Sequence, residues 1–298
     1  MLKESFILID WGTSNFRAFL VNIKGEVENR TSAAMGLLQI KKHDFSGSLK
    51  GILEEWLPNY QDYSVLMGGM IGSFNGWHNV DYAKTPVKSE QLTDLAYRFK
   101  LPWGAEATII PGVNHFYDTG CMNVMRGEEI QAFGLINILS KKNIKAIYPG
   151  THSKHITIDN KIITKVDTFM TGEIFSLVSN YGILSLDLPE QENNAMAFEQ
   201  GVRESGLYPL SQALFFGRTH RLSKVLSEKH IHSYLSGLLI GDELSTINCS
   251  DFIYIVGSEK LTNIYLNACH IKGINAEAIS GDSAFLAGAI ELQGTLNA

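Results

Sequence analysis

The sequence predicts an α/β protein built from two similar halves. A β-hairpin with a polar loop between its strands begins each half of the chain, and apolar runs alternate with helix-like segments after it. A Gly-Thr pair stands shortly before the second strand of both hairpins, at Gly12-Thr13 and at Gly150-Thr151. This recurrence indicates a duplicated architecture.

The two hairpins are predicted from apolar runs that end in polar or glycine-containing turns. Residues 6–9 and 16–21 form the first pair of strands, with the loop 10–15 between them and a turn at Lys24 and Gly25. The corresponding segments of the second hairpin are 146–148, 155–158 and 162–163 for the strands, and 149–154 and 159–160 for the loop and turn.

Periodic patterns predict the remaining elements. Residues 64–67, 108–110 and 252–256 are short apolar runs that predict strands, and apolar residues at helical spacing predict helices. In the first half one helix is predicted from the spacing of Leu92, Leu95, Ala96 and Phe99. A second is predicted within 124–139, with Ile130, Phe133 and Ile138 facing inward. In the second half they span 175–181, 212–216, 233–240, 281–290 and a segment with Leu261, Tyr265 and Ala268.

Composition and charge favour a folded globular protein and disfavour nucleic-acid and membrane partners. The 298 residues are 45% hydrophobic and 19% charged, which is typical of a folded globular protein. The net charge of −6 disfavours nucleic-acid and anionic-membrane partners. Cys121, Cys249 and Cys269 form no C-x-x-C pair, so reduced thiols are expected. With neither a signal peptide nor a membrane-spanning run recognisable, we expect a cytoplasmic protein.

The loop after the first strand has the residue types of a metal–polyphosphate site. Asp10 ends the strand, and Gly12, Thr13 and Ser14 follow it. Mg²⁺ prefers one or two carboxylates together with phosphate oxygens, and turn amides can face the anion. The alternative from the loop alone is a solvated turn capped by Asp10.

The second loop, residues 150–154, strengthens the phosphate interpretation. Two such loops would face each other across a cleft, and His152 and Lys154 would donate to phosphate oxygens. A hydrolase with Ser153 as nucleophile and His152 as base is disfavoured, because neighbours in an extended segment point to opposite faces. His152 and His155 are a poor metal pair for the same reason.

A charged segment, Arg126-Gly127-Glu128-Glu129, begins a predicted helix. Transfer of a phosphoryl group to an alcohol needs a carboxylate that orients the hydroxyl and accepts its proton. Glu128 or Glu129 can do this, and Arg126 can hold a substrate carboxylate at two points. The alternative is that the two acids only complement the helix dipole. Glu173, which follows Thr171 and Gly172, either helps to begin a helix or lines the cleft.

The segment 9–17 resembles the first phosphate loop of the sugar kinase/heat-shock protein 70/actin superfamily. Further segments, in order along the chain, resemble the 2-dehydro-3-deoxygalactonokinase family. These segments are 67–73 with 76–77, 110–112, 123–129, 149–154, 170–173, 235–241, 256–258 and 281–284. Together the matches extend over nearly the whole chain.

The resemblance implies two ribonuclease-H-like lobes of the actin/hexokinase type, with ATP in the cleft between them. Residues 1–140 would form the sugar-binding lobe and residues 141–282 the nucleotide-binding lobe, with a C-terminal helix at 283–298 packing back onto the first lobe. The implied activity is ATP- and Mg²⁺-dependent phosphorylation of 2-dehydro-3-deoxy-D-galactonate at its 6-hydroxyl, in galactonate catabolism.

The resemblance also assigns roles to residues. Asp10 would hold Mg²⁺, and Glu128 would be the base with Glu129 as the second candidate, where many relatives have an Asp instead. ATP would be bound by Gly12, Thr13, Ser14, Gly150, Thr151, His152, Ser153, Lys154, Gly257 and Ser258. The sugar acid would be bound by Arg17, Gly69, Met70, Gly72, Trp77, Arg126 and Glu173. Whether Glu173 replaces Glu128 or Glu129 as the base is left open.

Two other functions fit a protein of this superfamily. A polyphosphatase-like phosphohydrolase would release phosphate without a sugar acceptor, and a non-enzymatic ATP-binding protein would bind nucleotide without turnover. The presence of Asp10 together with a candidate base disfavours the non-enzymatic protein. The sequence leaves open the sugar-acid epimer and the oligomeric state, with a homodimer among the outcomes.

Overall fold

The computed structural model describes residues 5–297, and the chain folds into two compact units. The first unit is the described part of residues 1–143, 157–166 and 282–298, and the second comprises residues 144–156 and 167–281. Residues 1–4 and Ala298, which the predicted lobes include, lie outside the described residues.

The strands in chain order are β1 (Ser5–Trp11), β2 (Phe16–Asn22), β3 (Val27–Ala33), β4 (Val65–Gly69), β5 (Ala83–Lys84), β6 (Tyr97–Lys100), β7 (Glu106–Ile109), β8 (Val113–Phe116), β9 (Met122–Met125), β10 (Ile144–Tyr148), β11 (Ser153–Asp159), β12 (Ile162–Phe169), β13 (Phe252–Gly257) and β14 (Asn275–Ser280). The α-helices are α1 (Phe45–Trp56), α2 (Ser89–Asp94), α3 (Glu128–Leu139), α4 (Thr171–Tyr181), α5 (Ala195–Glu204), α6 (Leu210–Leu222), α7 (Ile231–Leu244), α8 (Glu259–Lys272) and α9 (Gly281–Asn297).

The two main sheets share the order of their first four strands, namely third, second, first and fourth in the chain. The first runs β3-β2-β1-β4-β7-β6, and the second runs β12-β11-β10-β13-β14. In the first sheet β1 pairs antiparallel with β2 and parallel with β4; in the second, β13 is parallel to both β10 and β14. A third sheet has the order β5-β8-β9. The predicted α/β class and the repeated hairpin architecture are confirmed.

Apolar faces of the helices close the core of each unit. In α1, Phe45, Leu49 and Leu53 recur every four residues and are buried, and the Asp44 side chain caps the helix by accepting from the Gly47 amide at 2.8 Å. Burying each of these side chains contributes about 1.5–3 kcal/mol. In the second unit α5 and α7 pack closely at Gly237, which has no side chain to keep them apart. A Cβ added there would lie 2.1 Å from the carbonyl oxygen of Phe198.

Two predicted helices in the first half differ from the structure. The helix predicted over 124–139 begins at Glu128, because β9 occupies the preceding residues and Gly127 has φ +113°. Ile138, predicted to face inward, is 42% exposed near the end of α3. The helix predicted from the spacing of residues 92–99 is also wrong beyond Asp94, where α2 ends. Phe99 lies in β6 opposite Ala107, since pairing at a sheet edge prevails over local spacing.

Among residues 5–297, no helix combines the length and the apolar character needed to cross a bilayer.

Candidate active site

In the first unit, Asp10 and Arg17 lie opposite each other on β1 and β2. The Arg17 guanidinium donates to the Asp10 carboxylate through one nitrogen and to Asp282 of α9 through the other. Burial opposes the charge of Arg17, but Asp10 and then Asp282 raise its pKa. Two carboxylates are therefore held on either side of one cation at the end of the central strand.

Two glycines bring the beginning of α3 close to Asp10. Gly69 ends β4 with φ +88°, and a Cβ there would lie 2.7 Å from the carbonyl oxygen of Trp11 and 3.2 Å from Asp10 Oδ1. A Cβ on Gly127 would in turn lie 3.4 Å from the Gly69 Cα. The close backbone approach at Gly69 and Gly127 thus places the residues that begin α3 beside the end of β1.

Glu128 and Glu129 begin α3 in different environments. Glu129 has no exposed surface, and both of its carboxylate oxygens accept from the Gly127 amide, at 2.7 and 2.8 Å. Burial, together with the charge of Glu128, raises the pKa of Glu129 to about 8. Glu128 is partly exposed and accepts from the Arg126 amide at 3.1 Å. Near neutral pH, Glu129 is accordingly mostly protonated.

Arg126 is buried with part of its guanidinium unused. It is 9% exposed, its Nη2 donates to the Val80 carbonyl at 2.7 Å, and its Cζ lies 4.3 Å from the centre of the Tyr82 ring. Its Nε and Nη1 are buried, and within residues 5–297 neither has a hydrogen-bond partner. A Cβ on Gly72 would lie 2.9 Å from Nη1, so the glycine leaves room for the guanidinium.

The other predicted sugar-acid residues of this unit lie around the segment after β4. Met70 and Gly72 belong to the 3₁₀ turn Met70–Gly72. Trp77 is half-buried, stacked on Phe45 with ring centres 6.3 Å apart and edge-on to Phe99 at 5.2 Å. These contacts fix the ring of Trp77 against the core of the first unit.

The first predicted phosphate loop is exposed but anchored through its carbonyls. The Leu37 amide donates to the carbonyl of Gly12 at 3.0 Å, and the amide of Leu38 donates to that of Thr13 at 3.2 Å. The side chains of Thr13 and Ser14 are exposed. The loop backbone is thus fixed by hydrogen bonds to its carbonyls, while the hydroxyls of Thr13 and Ser14 are exposed to solvent.

In the second unit, the second predicted loop packs directly on the beginning of α4. A Cβ on Gly172 would lie 2.4 Å from the Gly150 carbonyl oxygen, and the Glu173 amide donates to Thr151 O at 2.9 Å. His152 Nε2 lies 2.5 Å from Glu173 Oε2. His152 thus contacts Glu173, a pairing the sequence did not predict.

Ser153 and Lys154 begin β11 and are both buried. The Ser153 hydroxyl donates to Glu243 Oε1 at 2.7 Å, so in this state it faces the interior of the second unit. Gly257 ends β13, the parallel neighbour of β10, and Ser258 precedes α8. The two predicted nucleotide loops therefore follow adjacent strands.

A cavity of about 940 Å³ opens beside these loops within the second unit. Gly150 and Thr171 line it near the second loop, and α8 contributes residues from Lys260 to Asn267. Phe175 and His232 also line it, and burial lowers the pKa of His232. The cavity thus combines apolar, amide and charged surfaces beside the second predicted phosphate loop.

The geometry brings most predicted residues together within each unit, and it adds others. Asp10, Arg17, Gly69, Glu128 and Glu129 converge in the first unit. The residues that sequence reasoning missed are Tyr82 and Asp282 there, and Glu243 and Tyr265 in the second unit. The sequence pointed to Asp282 only through its position in the Gly-Asp-Ser that begins α9. No neighbouring residue in the sequence indicated a role for Glu243.

Comparison with known proteins gives a consistent result. The family model for 2-keto-3-deoxy-galactonokinase matches residues 10–292. The 2-dehydro-3-deoxygalactonokinase of Escherichia coli K12 is 33% identical over 301 positions, covering 96% of this chain and 97% of its own length. A crystal structure from Sinorhizobium meliloti, provisionally assigned as the same enzyme, has a TM-score of 0.88 at 28% identity, covering 97% of this chain and 95% of that one.

A more distant structure shares the fold alone. The activator of 2-hydroxyisocaproyl-CoA dehydratase from Clostridium difficile has a TM-score of 0.51 at 11% identity, covering 98% of this chain and 96% of that chain.

Proposed function

The chain belongs to the 2-keto-3-deoxy-galactonokinase family, and we propose that it transfers the terminal phosphoryl group of ATP to the 6-hydroxyl of 2-dehydro-3-deoxy-D-galactonate. The observation that carries the substrate class is the buried guanidinium of Arg126 with two unpartnered nitrogens. A sugar acid differs from a neutral sugar by the carboxylate that such a group binds.

Arg126 supports binding of a carboxylate for a physical reason. Leaving a buried donor unpaired costs about 1–3 kcal/mol, and more when the group is charged. A carboxylate that accepts from Nε or from Nη1, together with the second hydrogen of Nη2 beside it, would be held in the two-point geometry typical of arginine. The Val80 carbonyl and the Tyr82 ring hold the guanidinium, so its remaining donors are already oriented.

Glu128 is the better candidate for the base. A raised pKa keeps Glu129 mostly protonated near neutral pH, and Glu129 has no exposed surface for a substrate hydroxyl. Glu128 is partly exposed at the same helix end. Two adjacent carboxyl groups in different environments are thus suited to different roles. Glu128 would accept the hydroxyl proton, while Glu129 would hold the Gly127 turn.

The cavity of the second unit supports the nucleotide assignment. Its position beside the loop 150–154 and along α8 fits a base and ribose in the cavity with phosphates towards the loop. The predicted roles of Gly150, Thr151, His152, Gly257 and Ser258 remain part of this proposal. His152, drawn towards Glu173 in this state, would turn to the phosphates when ATP binds.

The residues around Asp10 fit Mg²⁺. Asp10 and Asp282 present carboxylates on either side of Arg17, and Mg²⁺ takes one or two carboxylates while phosphate and water oxygens complete its shell. Among residues 5–297 no cluster of three or more His, Cys, Asp or Glu could hold a metal by itself. Bound there, the ion would neutralise charge on the phosphates.

The reaction then needs no covalent intermediate. The substrate hydroxyl attacks the terminal phosphorus, Glu128 accepts the hydroxyl proton, and the bond to the ADP oxygen breaks. Arg126 holds the carboxylate end of the sugar acid, so that the hydroxyl at the other end is oriented. Alignment and charge neutralisation are sufficient for this transfer.

A coupled assay of ADP release tests the proposal. Purified protein with Mg-ATP is supplied with 2-dehydro-3-deoxygalactonate, with its gluconate epimer, or with no acceptor. Turnover with the galactonate compound alone supports the proposed substrate, and equal rates with both epimers broaden it. ADP release without an acceptor would favour the phosphohydrolase, and nucleotide binding with no release in any arm would favour the non-enzymatic protein.

A further inference from the structure

Glu243 of α7 is the acceptor at the centre of a buried hydrogen-bond network in the second unit. It is 2% exposed. Ser153 and His155 donate to its Oε1 at 2.7 and 2.8 Å, and Thr171 and Tyr265 donate to its Oε2, Tyr265 at 2.8 Å. These donors belong to β11, α4 and α8, so one carboxylate on α7 joins three other elements.

This network fixes the second loop relative to α4. Ser153 belongs to the loop 150–154, where β11 begins, and Thr171 is the first residue of α4, so Glu243 binds the two segments through its two oxygens. The backbone makes the same connection, since the Glu173 amide donates to the Thr151 carbonyl. Hydrogen bonds to a charged acceptor are stronger than neutral ones, so the carboxylate holds these segments firmly.

The same network forms part of the wall of the cavity. Thr171 and Tyr265 line the cavity of about 940 Å³, and both hydroxyls point away to Glu243. Tyr265 belongs to α8, the helix that contributes several further lining residues. The relative positions of α4 and α8 around the cavity therefore depend on one carboxylate behind the wall.

We propose that Glu243 is a positioning residue for nucleotide binding: it holds the loop 150–154, the beginning of α4 and the α8 wall in the arrangement that receives ATP. Glu243 itself does not touch the nucleotide. The inference rests on the proposed function, since it takes this cavity as the nucleotide site. It predicts that loss of the carboxylate weakens nucleotide binding and leaves recognition of the sugar acid unchanged.

A second network provides a matched control within the same unit. Glu204 accepts from Tyr234 at 2.6 Å, His220 at 2.9 Å and Gln200 at 2.8 Å. Like Glu243, it accepts from a tyrosine and a histidine of other elements. The residues of this network are not among those that line the cavity. Glu204→Gln thus disturbs a comparable network without disturbing the proposed nucleotide wall.

The experiment compares Glu243→Gln with Glu204→Gln in the full chain. Isothermal titration calorimetry gives the Kd for MgADP, steady-state kinetics give the KM for the sugar acid, and thermal melts report folding. We expect Glu243→Gln to raise the Kd about fivefold or more while the sugar-acid KM stays the same, and Glu204→Gln to leave both constants unchanged. A Kd for Glu243→Gln within about twofold of wild type would overturn the proposal.

Thr171 variants test the same network if Glu243→Gln folds poorly. Thr171→Val removes one donor at nearly constant shape, and Thr171→Ser restores it. We expect Thr171→Val to raise the Kd for MgADP in the wild-type chain, Thr171→Ser to restore it, and Thr171→Val to add little to Glu243→Gln. A Kd for MgADP in Thr171→Val within about twofold of wild type would overturn the proposal. Where Glu243→Gln folds, equal effects of Thr171→Val in both backgrounds would show that the hydroxyl acts independently of Glu243, and would also overturn it.

Failure of the proposed function is distinguishable from failure of this inference. MgADP binding is measured without the sugar acid, so the role of Glu243 is tested even if wild-type protein phosphorylates no sugar acid. If wild-type protein bound no MgADP, the inference about Glu243 would be overturned.

Discussion

Asp10 and Arg17 are direct partners across the β1–β2 hairpin, and their side chains form an ion pair at the end of the central strand. The antiparallel register places the two residues directly opposite each other, so the hairpin itself brings their side chains together. Arg17 also binds Asp282 from the far end of the chain. One cation thus connects the predicted metal ligand to a second carboxylate.

Loss of Asp282 is expected to raise the Mg²⁺ requirement. In Asp282→Asn the guanidinium of Arg17 pairs with Asp10 alone. Arg17 then competes more strongly with Mg²⁺ for the Asp10 carboxylate, the proposed metal ligand. Because the Arg17–Asp282 pair is partly exposed, the half-saturating Mg²⁺ concentration should rise by only about two- to fivefold. Initial rates across an Mg²⁺ titration at fixed ATP measure this. Asp118→Asn in an exposed turn is the control, and an unchanged Mg²⁺ dependence in Asp282→Asn would contradict the expectation.

Arg126→Lys is expected to weaken binding of the sugar acid. Lysine cannot reproduce the planar set of guanidinium donors, so the KM for the sugar acid should rise about 10- to 100-fold. The KM for ATP should stay unchanged. Arg98→Lys, on the exposed side of β6, is the control. If Arg126→Lys kept the wild-type KM while its melting curve stayed normal, Arg126 would not bind the carboxylate.

Glu128 and Glu129 are expected to differ in their effect on kcat. Glu128→Gln removes the proposed proton acceptor and should lower kcat about 10²- to 10⁴-fold. Glu129→Gln replaces a mostly protonated carboxyl group by an amide of similar shape, so its loss should be smaller, about tenfold or less. Steady-state kinetics at neutral pH give both values. The reverse order would assign the base to Glu129.

Glu129 is expected to make the free energy of unfolding fall as pH rises. Its pKa lies near 8 in the folded protein against an ordinary 4.5, so between these pH values the folded state binds more protons than the unfolded state. Stability from this group is therefore full below pH 4.5 and is lost up to about pH 8, at no more than about 1.4 kcal/mol per pH unit.

Urea unfolding between pH 5 and pH 9 measures this dependence. The difference in stability between wild type and Glu129→Gln should shift in favour of the variant as pH rises. Glu55→Gln, an exposed residue of α1, is the control and should shift less. A difference independent of pH would show that the Glu129 carboxyl ionises normally.

Gly172→Ala is expected to disturb the second loop. The added Cβ would lie 2.4 Å from the Gly150 carbonyl oxygen and 2.9 Å from the Thr151 Cα, so the loop has to move. Both the melting temperature and the affinity for MgADP should fall. Gly51→Ala in α1 meets no atom within 4 Å and should instead stabilise the protein by about 0.5–1 kcal/mol. Wild-type MgADP affinity in Gly172→Ala would contradict a role for this contact.

Much of the fold was predictable because its signals are local. The hairpins follow from apolar runs bounded by glycine turns, and the helices α4, α6, α7 and α8 from apolar spacing. Segment 92–99 failed because its spacing suits a helix while its second half completes a sheet edge. A strand at an edge depends on a partner elsewhere in the chain, which local periodicity does not contain.

The candidate site was predictable where its functional residues lie close together in the sequence. Arg126, Glu128 and Glu129 stand together in the chain, and Asp10 precedes its glycine loop directly. Which of the two glutamates is buried was not predictable. Their exposure depends on the packing of α3 in the first unit, and burial is what separates their pKa values.

The sequence by itself thus determined the α/β class, the repeated hairpins and the residue types that bind phosphate and carboxylate. Only the tertiary structure decided that Arg17 meets Asp282, 265 positions away, and that Glu243 collects donors from three other elements. The physical reason is that such contacts form between segments distant in the chain. They stabilise the protein only after the backbone has brought those segments together.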